Sequence, residues 1–65
     1  MDSNKIRGKR VENGYTQQRS ADEINVTLPT YRAKESGKTP FTSVEISKLQ
    51  KAWKLNNDET VELFI

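Results

Sequence analysis

The chain has 65 residues, a formal net charge of +2, no cysteine and no histidine. This length is enough for one small domain with one compact hydrophobic core. Without thiols or imidazoles the chain can form no disulfide, no cysteine or histidine metal site and no Cys or Ser-His nucleophile, so we expect neither an enzyme nor a cofactor or metal.

The first predicted helix covers residues 4 to 13. Ile6 and Val11 are its apolar residues, and they stand among several cations. Gly14 follows the helix and predicts its end, because glycine accepts the positive φ that often follows a last helical turn.

A second helix is predicted over residues 17 to 24. Thr16 is a suitable N-cap, because its hydroxyl can accept a hydrogen bond from a free amide of the first turn. Asn25 then predicts a turn, because asparagine is the residue after glycine that best tolerates the left-handed conformation.

A third helix is predicted over residues 28 to 36, although Pro29 lies inside it. With Thr27 as the N-cap, Pro29 is the second helical residue, and there its missing N–H would have no acceptor within the helix. Pro29 therefore belongs to the start of this helix and does not break it. Gly37 predicts the helix end.

Two more helices, which complete a predicted all-α bundle of about five short helices, cover residues 43 to 54 and 58 to 64. The first begins with a capping box, Thr42 and Glu45, and carries an apolar stripe. The second begins after a capping asparagine, Asn56 or Asn57. Its apolar residues are predicted to close the core, with a protein interface as the alternative.

Charge is distributed unevenly along the single predicted domain. Residues 1 to 56 contain eleven basic and six acidic side chains, a net charge of +5, whereas residues 57 to 65 contain three acidic side chains and no basic one. A basic body suits a polyanion such as DNA.

No apolar run approaches the ~18 residues of a membrane span, and the N-terminus lacks a signal peptide's apolar segment. We therefore expect a cytoplasmic protein without a membrane partner.

Residues 17 to 36 have a helix-turn-helix pattern. Within and around this pattern several residues recur at characteristic spacings. They are "YTQ" at 15 to 17, Ala21, Ile24, Val26, Thr30, Tyr31, "KESGK" at 34 to 38, and Ile46, Leu49, Ala52, Trp53 and Leu55. In their joint spacing these residues resemble the phage repressor and Cro type of helix-turn-helix domain, the lambda-repressor-like fold. The resemblance extends from residue 5 to residue 64.

The resemblance implies a sequence-specific DNA-binding regulator of transcription with its third helix in the major groove, where each base pair displays a distinct pattern of donors, acceptors and methyl groups. Arg32 is expected to contribute most to specificity, because it can donate two hydrogen bonds to one guanine edge. The residues implied to contact bases are Thr27, Leu28, Pro29, Arg32 and Ala33.

The resemblance also implies contacts to the DNA backbone and one ion pair. Gln17, at the start of the second helix, would contact a phosphate, and so would Lys38 and Thr39 just after the third helix. Arg10 and Glu35 match positions that pair in this family. The physical reason is that a carboxylate on a DNA-facing helix repels phosphates unless a cation of the protein neutralises it.

Three residues depart from the family pattern. Ser20 replaces a leucine-like core residue, Lys34 replaces an apolar residue, and Asn25 replaces a glycine. Asn25 suits its turn, and Lys34 is expected to lie along apolar surface with its ammonium group in water. Ser20 predicts a thinner core, or a different use for the surface of the second helix.

The implied partner is a double-stranded DNA operator. We expect a homodimer on it, because one small domain makes few contacts and two-fold symmetry suits a palindromic site. The alternative is a repressor-like protein-interaction module that binds another regulator and not DNA. Four features leave this alternative open, and these are Ser20, the small net charge, the acidic C-terminal residues and the few polar base-reading side chains of the third helix.

Overall fold

A computed structural model describes residues 1–65. The chain forms five helices, α1 Ser3–Glu12, α2 Gln17–Glu23, α3 Leu28–Glu35, α4 Ser43–Ala52 and α5 Asn57–Phe64. The predicted all-α fold of five short helices is therefore confirmed, and each helix end lies within two residues of its predicted position. None of the helices combines the length and the apolar character that a membrane crossing requires.

Every helix begins with a polar N-cap, which explains how so polar a chain forms so much helix. A side-chain oxygen of each cap accepts a hydrogen bond from the backbone amide three residues later, and the five caps are Asp2, Thr16, Thr27, Thr42 and Asn56. Each such cap contributes about 1 kcal/mol to stability. In α4 and α5 a glutamate completes a capping box.

The turn between α2 and α3 has the conformation that its residues predict. Asn25 lies in the left-handed region with a φ of 58°. On either side of it, Ile24 is buried in the core and Val26 packs against the core. The amide of Val26 donates to the carbonyl of Ala21 at 3.0 Å. The turn is therefore anchored on both sides, and this fixes where α3 begins.

The core consists of ten buried apolar residues to which all five helices contribute. Aromatic rings join its parts. Phe41, in the segment before α4, makes edge contacts with Tyr31 of α3 and Phe64 of α5, at centroid distances of 6.2 and 5.2 Å. Phe64 also stacks on Trp53, which follows α4. These contacts close the bundle behind α3.

Ser20 lies inside this core. It is fully buried, and its hydroxyl forms no hydrogen bond of ordinary geometry, although it lies near the Tyr31 phenol and lowers the pKa of that phenol. A buried, unpaired hydroxyl costs about 1 to 3 kcal/mol. We expect Ser20→Ala to raise the free energy of unfolding by about 1 kcal/mol, because alanine removes this cost and is also the better helix former. Urea denaturation measures the change, and a loss of stability would mean that the hydroxyl is bonded in solution.

The expectation that Lys34 keeps its ammonium group in water is wrong. The side chain is buried, and its Nζ lies 2.9 Å from Oε1 of Glu45 and donates to the carbonyl of Pro40 at 3.0 Å. The reason is the capping box of α4, which holds the Glu45 carboxylate beside α3. Two groups of the protein thus replace the water that a lysine usually requires.

This ion pair gives the fold a sensitivity to acid. Burial raises the pKa of the Glu45 carboxyl, but the hydrogen bond from the Thr42 amide and the contact with Lys34 outweigh burial, and the pKa lies below its ordinary value of 4.5. A carboxyl whose pKa is lowered by folding stabilises the fold above the unfolded pKa, and this contribution disappears as the pH falls through the folded pKa.

We therefore expect the free energy of unfolding to decrease as the pH falls below 4.5. Glu45 causes part of this decrease, and we expect that part to be smaller in Lys34→Met. Urea denaturation across the acid range measures both. Lys38→Met is the matched control, because Lys38 is exposed and forms no ion pair. An acid dependence that is identical in Lys34→Met and in the unmodified protein would contradict this account.

Candidate nucleic-acid interface

α3 has one face in the bundle and one face directed outward. Tyr31, Lys34 and Glu35 are buried. The residues implied to contact bases lie on the other side: Thr27, Pro29 and Arg32 are exposed, while Leu28 and Ala33 are half-buried. The predicted base-contacting residues are thus on one outward surface, and a shallow cleft on it is lined by Pro29, Arg32, Ala33, Ser36 and Lys38.

Glu35 is the centre of a buried polar network behind this surface. Its Oε1 accepts from Nε of Arg10 at 2.7 Å and from the phenol of Tyr31 at 2.9 Å, and its Oε2 accepts from the amide of Gln17 at 2.9 Å. The Arg10 and Glu35 side chains, predicted as an ion pair, are only 10% and 7% exposed. Arg10 also donates to the carbonyl of Tyr15 at 2.8 Å. The network holds α1, α2 and α3 together.

Tyr31 serves this network as a hydrogen-bond donor. Burial raises the pKa of its phenol above the ordinary value, and the neighbouring Glu35 carboxylate raises the pKa further. The phenol therefore stays protonated at neutral pH and donates to Glu35. A carboxylate that accepts from several donors is satisfied without water, which is why Glu35 can be buried on the helix that presents the outward surface.

Gln17 has contacts that its predicted role does not include. Its Nε2 donates to Glu35, and its Oε1 accepts from Nε of Arg32 at 3.2 Å. Both ends of the Gln17 amide are thus used within the protein. The side chain orients Arg32, which is exposed and whose two terminal nitrogens make no hydrogen bond to the protein. Sequence reasoning missed this contact because it depends on how closely α2 and α3 approach each other.

Lys38 and Thr39 lie directly beyond α3, and Lys38 also lines the cleft on its outward surface. Gly37, with a φ of 90°, ends the helix. The amides of Lys38 and Thr39 donate to the carbonyl of Ala33 at 2.9 and 3.3 Å, so the backbone here is tied to the last turn of α3. Both side chains are exposed. They flank the residues implied to contact bases.

Ion pairs neutralise much of the basic charge on the side of α1 that faces α5. Lys5 pairs with Glu62, and Lys9 lies 3.4 Å from Glu12 and 2.9 Å from Glu59. The pairs with Glu62 and Glu59 connect α1 to the acidic α5. No carboxylate pairs with the remaining cations, and these are Arg7, Arg19, Arg32, Lys38, Lys48, Lys51 and Lys54.

A second cleft, which sequence reasoning did not predict, lies between α1 and α3. Its lining includes Asn4, Arg7, Gln17, Arg32 and Ser36. A signal for it exists in the sequence, because Arg7 precedes Arg10 by three residues and so lies on the same side of α1. Once Arg10 is paired with Glu35 of α3, Arg7 has to lie near α3 as well.

Comparison of the chain with protein-family models, with curated proteins and with solved structures gives no match. The resemblance to phage repressor and Cro domains therefore stays a prediction. The function has to be argued from the arrangement of the site.

Proposed function

We propose that the protein is a sequence-specific DNA-binding regulator of transcription, of the phage repressor and Cro type, which acts by occupying an operator with α3 in the major groove. The observation that carries this proposal is the outward surface of α3. On that surface Arg32 is held at one nitrogen by Gln17, while its two terminal nitrogens remain available.

The surface suits a DNA groove in shape and chemistry. A major groove about 12 Å wide admits one helix, and α3 is a short helix that projects its polar and apolar groups outward. Arg32 would donate two hydrogen bonds to a guanine edge. Leu28, Pro29 and Ala33 offer apolar contact, which suits thymine methyl groups, and the Thr27 hydroxyl can contact either bases or backbone.

The contacts around α3 favour a defined docking position. Lys38 and Thr39 would bind phosphates beyond one end of the helix, which orients the protein without reading sequence. Gln17 would contribute mainly by orienting Arg32. An arginine that is already oriented loses less side-chain entropy when it binds, and this loss is about 0.5 to 1.5 kcal/mol for a flexible side chain.

The assembly that we propose on DNA is a homodimer. One copy presents few base-reading side chains, so useful specificity requires two copies on two half-sites about one helical turn apart. The proposed place of action is the bacterial cytoplasm, where the nucleoid is accessible.

A second candidate function is binding to another regulator. The observation that favours it is an exposed apolar strip at the end of α5, where Val61 of the helix and Ile65, the residue after it, are 54% and 81% exposed. Such a strip is suited to a protein partner. This strip lies among the acidic residues of α5. Their negative charge repels DNA phosphates, so the strip is better suited to a protein than to DNA.

Selection of duplexes from a random-sequence pool, followed by fluorescence anisotropy titrations, tests the proposed function. We expect one enriched site, bound at least about 10³-fold more tightly than random duplex. The logarithm of the binding constant should fall linearly with the logarithm of salt concentration, with a slope of about −0.9 per neutralised phosphate. No enrichment and no salt-dependent affinity, together with stable capture of a partner regulator, would support the second candidate instead.

A further inference from the structure

The cleft between α1 and α3 has no role among the contacts described so far. We propose that it binds a phosphate of the DNA backbone through Arg7, so that the DNA-contacting surface extends from α3 onto α1. This inference rests on the proposed function and adds a contact to it.

The lining of the cleft favours an anion. No hydrophobic residue lines it, and its walls carry the guanidinium groups of Arg7 and Arg32 and the amide of Asn4. All of these groups can donate hydrogen bonds. An arginine donates two parallel hydrogen bonds to a phosphate, and such charge-assisted bonds are among the strongest in proteins.

The charge of the cleft is positive although Glu35 contributes to its lining. The Glu35 carboxylate accepts hydrogen bonds from Arg10, Tyr31 and Gln17. Arg10 therefore neutralises the carboxylate within the protein. Arg7 and Arg32 have no acidic partner, and their two positive charges face a shared space that no carboxylate of the protein compensates.

The cations of α1 thus divide into two sets. Lys5 and Lys9 are paired with acidic residues of α5. Arg7, one turn before Arg10, faces α3 and is exposed without a partner. The fold neutralises one basic side of α1 and leaves the other available, beside the surface proposed to enter DNA.

The position of the cleft favours a DNA phosphate as the ligand over a free anion. Arg32 and Ser36 line this cleft and also the shallow cleft on the outward surface of α3. The two clefts are therefore adjacent. A duplex that places a base edge against Arg32 brings its own backbone past Arg7, because bases and phosphates are joined in one strand.

The test compares Arg7→Gln with Lys5→Gln. Both variants remove one positive charge from α1, but Lys5 faces α5 and pairs with Glu62. We expect Arg7→Gln to weaken binding to the selected duplex and to random duplex by the same factor, about tenfold, as for a lost hydrogen bond to a charged group. The salt slope should decrease in magnitude by about 0.9, and the base preference should not change. Lys5→Gln should leave affinity within about twofold, as for an exposed ion pair.

Three outcomes are distinguishable. If the unmodified protein binds no duplex, the proposed function itself fails. If it binds and Arg32→Ala weakens binding, but Arg7→Gln behaves like Lys5→Gln, the phosphate contact at Arg7 is disproved.

A titration with inorganic phosphate alone, followed by the Arg7 side-chain NMR signal, distinguishes a site for free phosphate from a site for the DNA backbone. Saturable binding of inorganic phosphate that duplex does not displace would also overturn the inference.

Discussion

Replacement of Arg10 by methionine is expected to lower the free energy of unfolding by about 3 to 5 kcal/mol. The change leaves the Glu35 carboxylate buried, at 6% exposure, without its cation. Tyr31 and Gln17 still donate hydrogen bonds to it, but neither carries a charge. A domain of this size has a total stability of about 3 to 10 kcal/mol, so the variant should be close to unfolding at room temperature.

Urea denaturation measures this loss, and two further variants test its cause. Lys9→Met, on the same helix, removes a lysine whose ion pairs are at the surface, and it should cost far less stability than Arg10→Met does. The double variant Arg10→Met with Glu35→Leu should regain much of the lost stability, because no unpaired charge remains buried. If Arg10→Met costs no more than Lys9→Met, the network does not hold the three helices together as described.

Replacement of Arg32 by alanine is expected to weaken binding to the selected duplex by about 1 to 3 kcal/mol, roughly 5-fold to 150-fold, and to relax the preference at one base pair. The reason is that alanine removes two hydrogen bonds to one base edge and leaves the remaining contacts in place. Anisotropy titrations against the selected duplex and its single-base variants measure both effects.

The control for this variant is Arg32→Lys, which keeps the charge and loses the planar pair of donors. It should bind random duplex almost as well as the unmodified protein and should discriminate poorly at the same base pair. An equal loss of affinity for every sequence in Arg32→Ala, with discrimination intact, would mean that Arg32 contacts a phosphate and not a base.

The local features of the fold follow from short-range rules, which is why they can be predicted from sequence. Thr16 and Thr27 cap their helices, and Asn25 has the left-handed conformation that its turn requires. Pro29 belongs to the start of α3. Each of these predictions depends only on residues within about one helical turn.

Contacts between helices were harder to predict, because they depend on distances that the sequence does not contain. Lys34 finds its buried partner Glu45 only once α4 packs beside α3. Gln17 reaches Arg32 only once α2 and α3 approach each other. The pairing of Arg10 with Glu35 was predicted because the resemblance to a known family supplied such a distance. The cleft at Arg7 follows from that pairing and from the helical repeat of α1.

The most direct test of the proposal that α3 reads DNA is an NMR titration of the ¹⁵N-labelled protein with the selected duplex. The account predicts that the largest shift changes occur at backbone amides from residue 27 to residue 39 and at the side chains of Arg7 and Arg32, while α5 changes little. Shift changes concentrated on α5, or none at all when duplex is in excess, would contradict it.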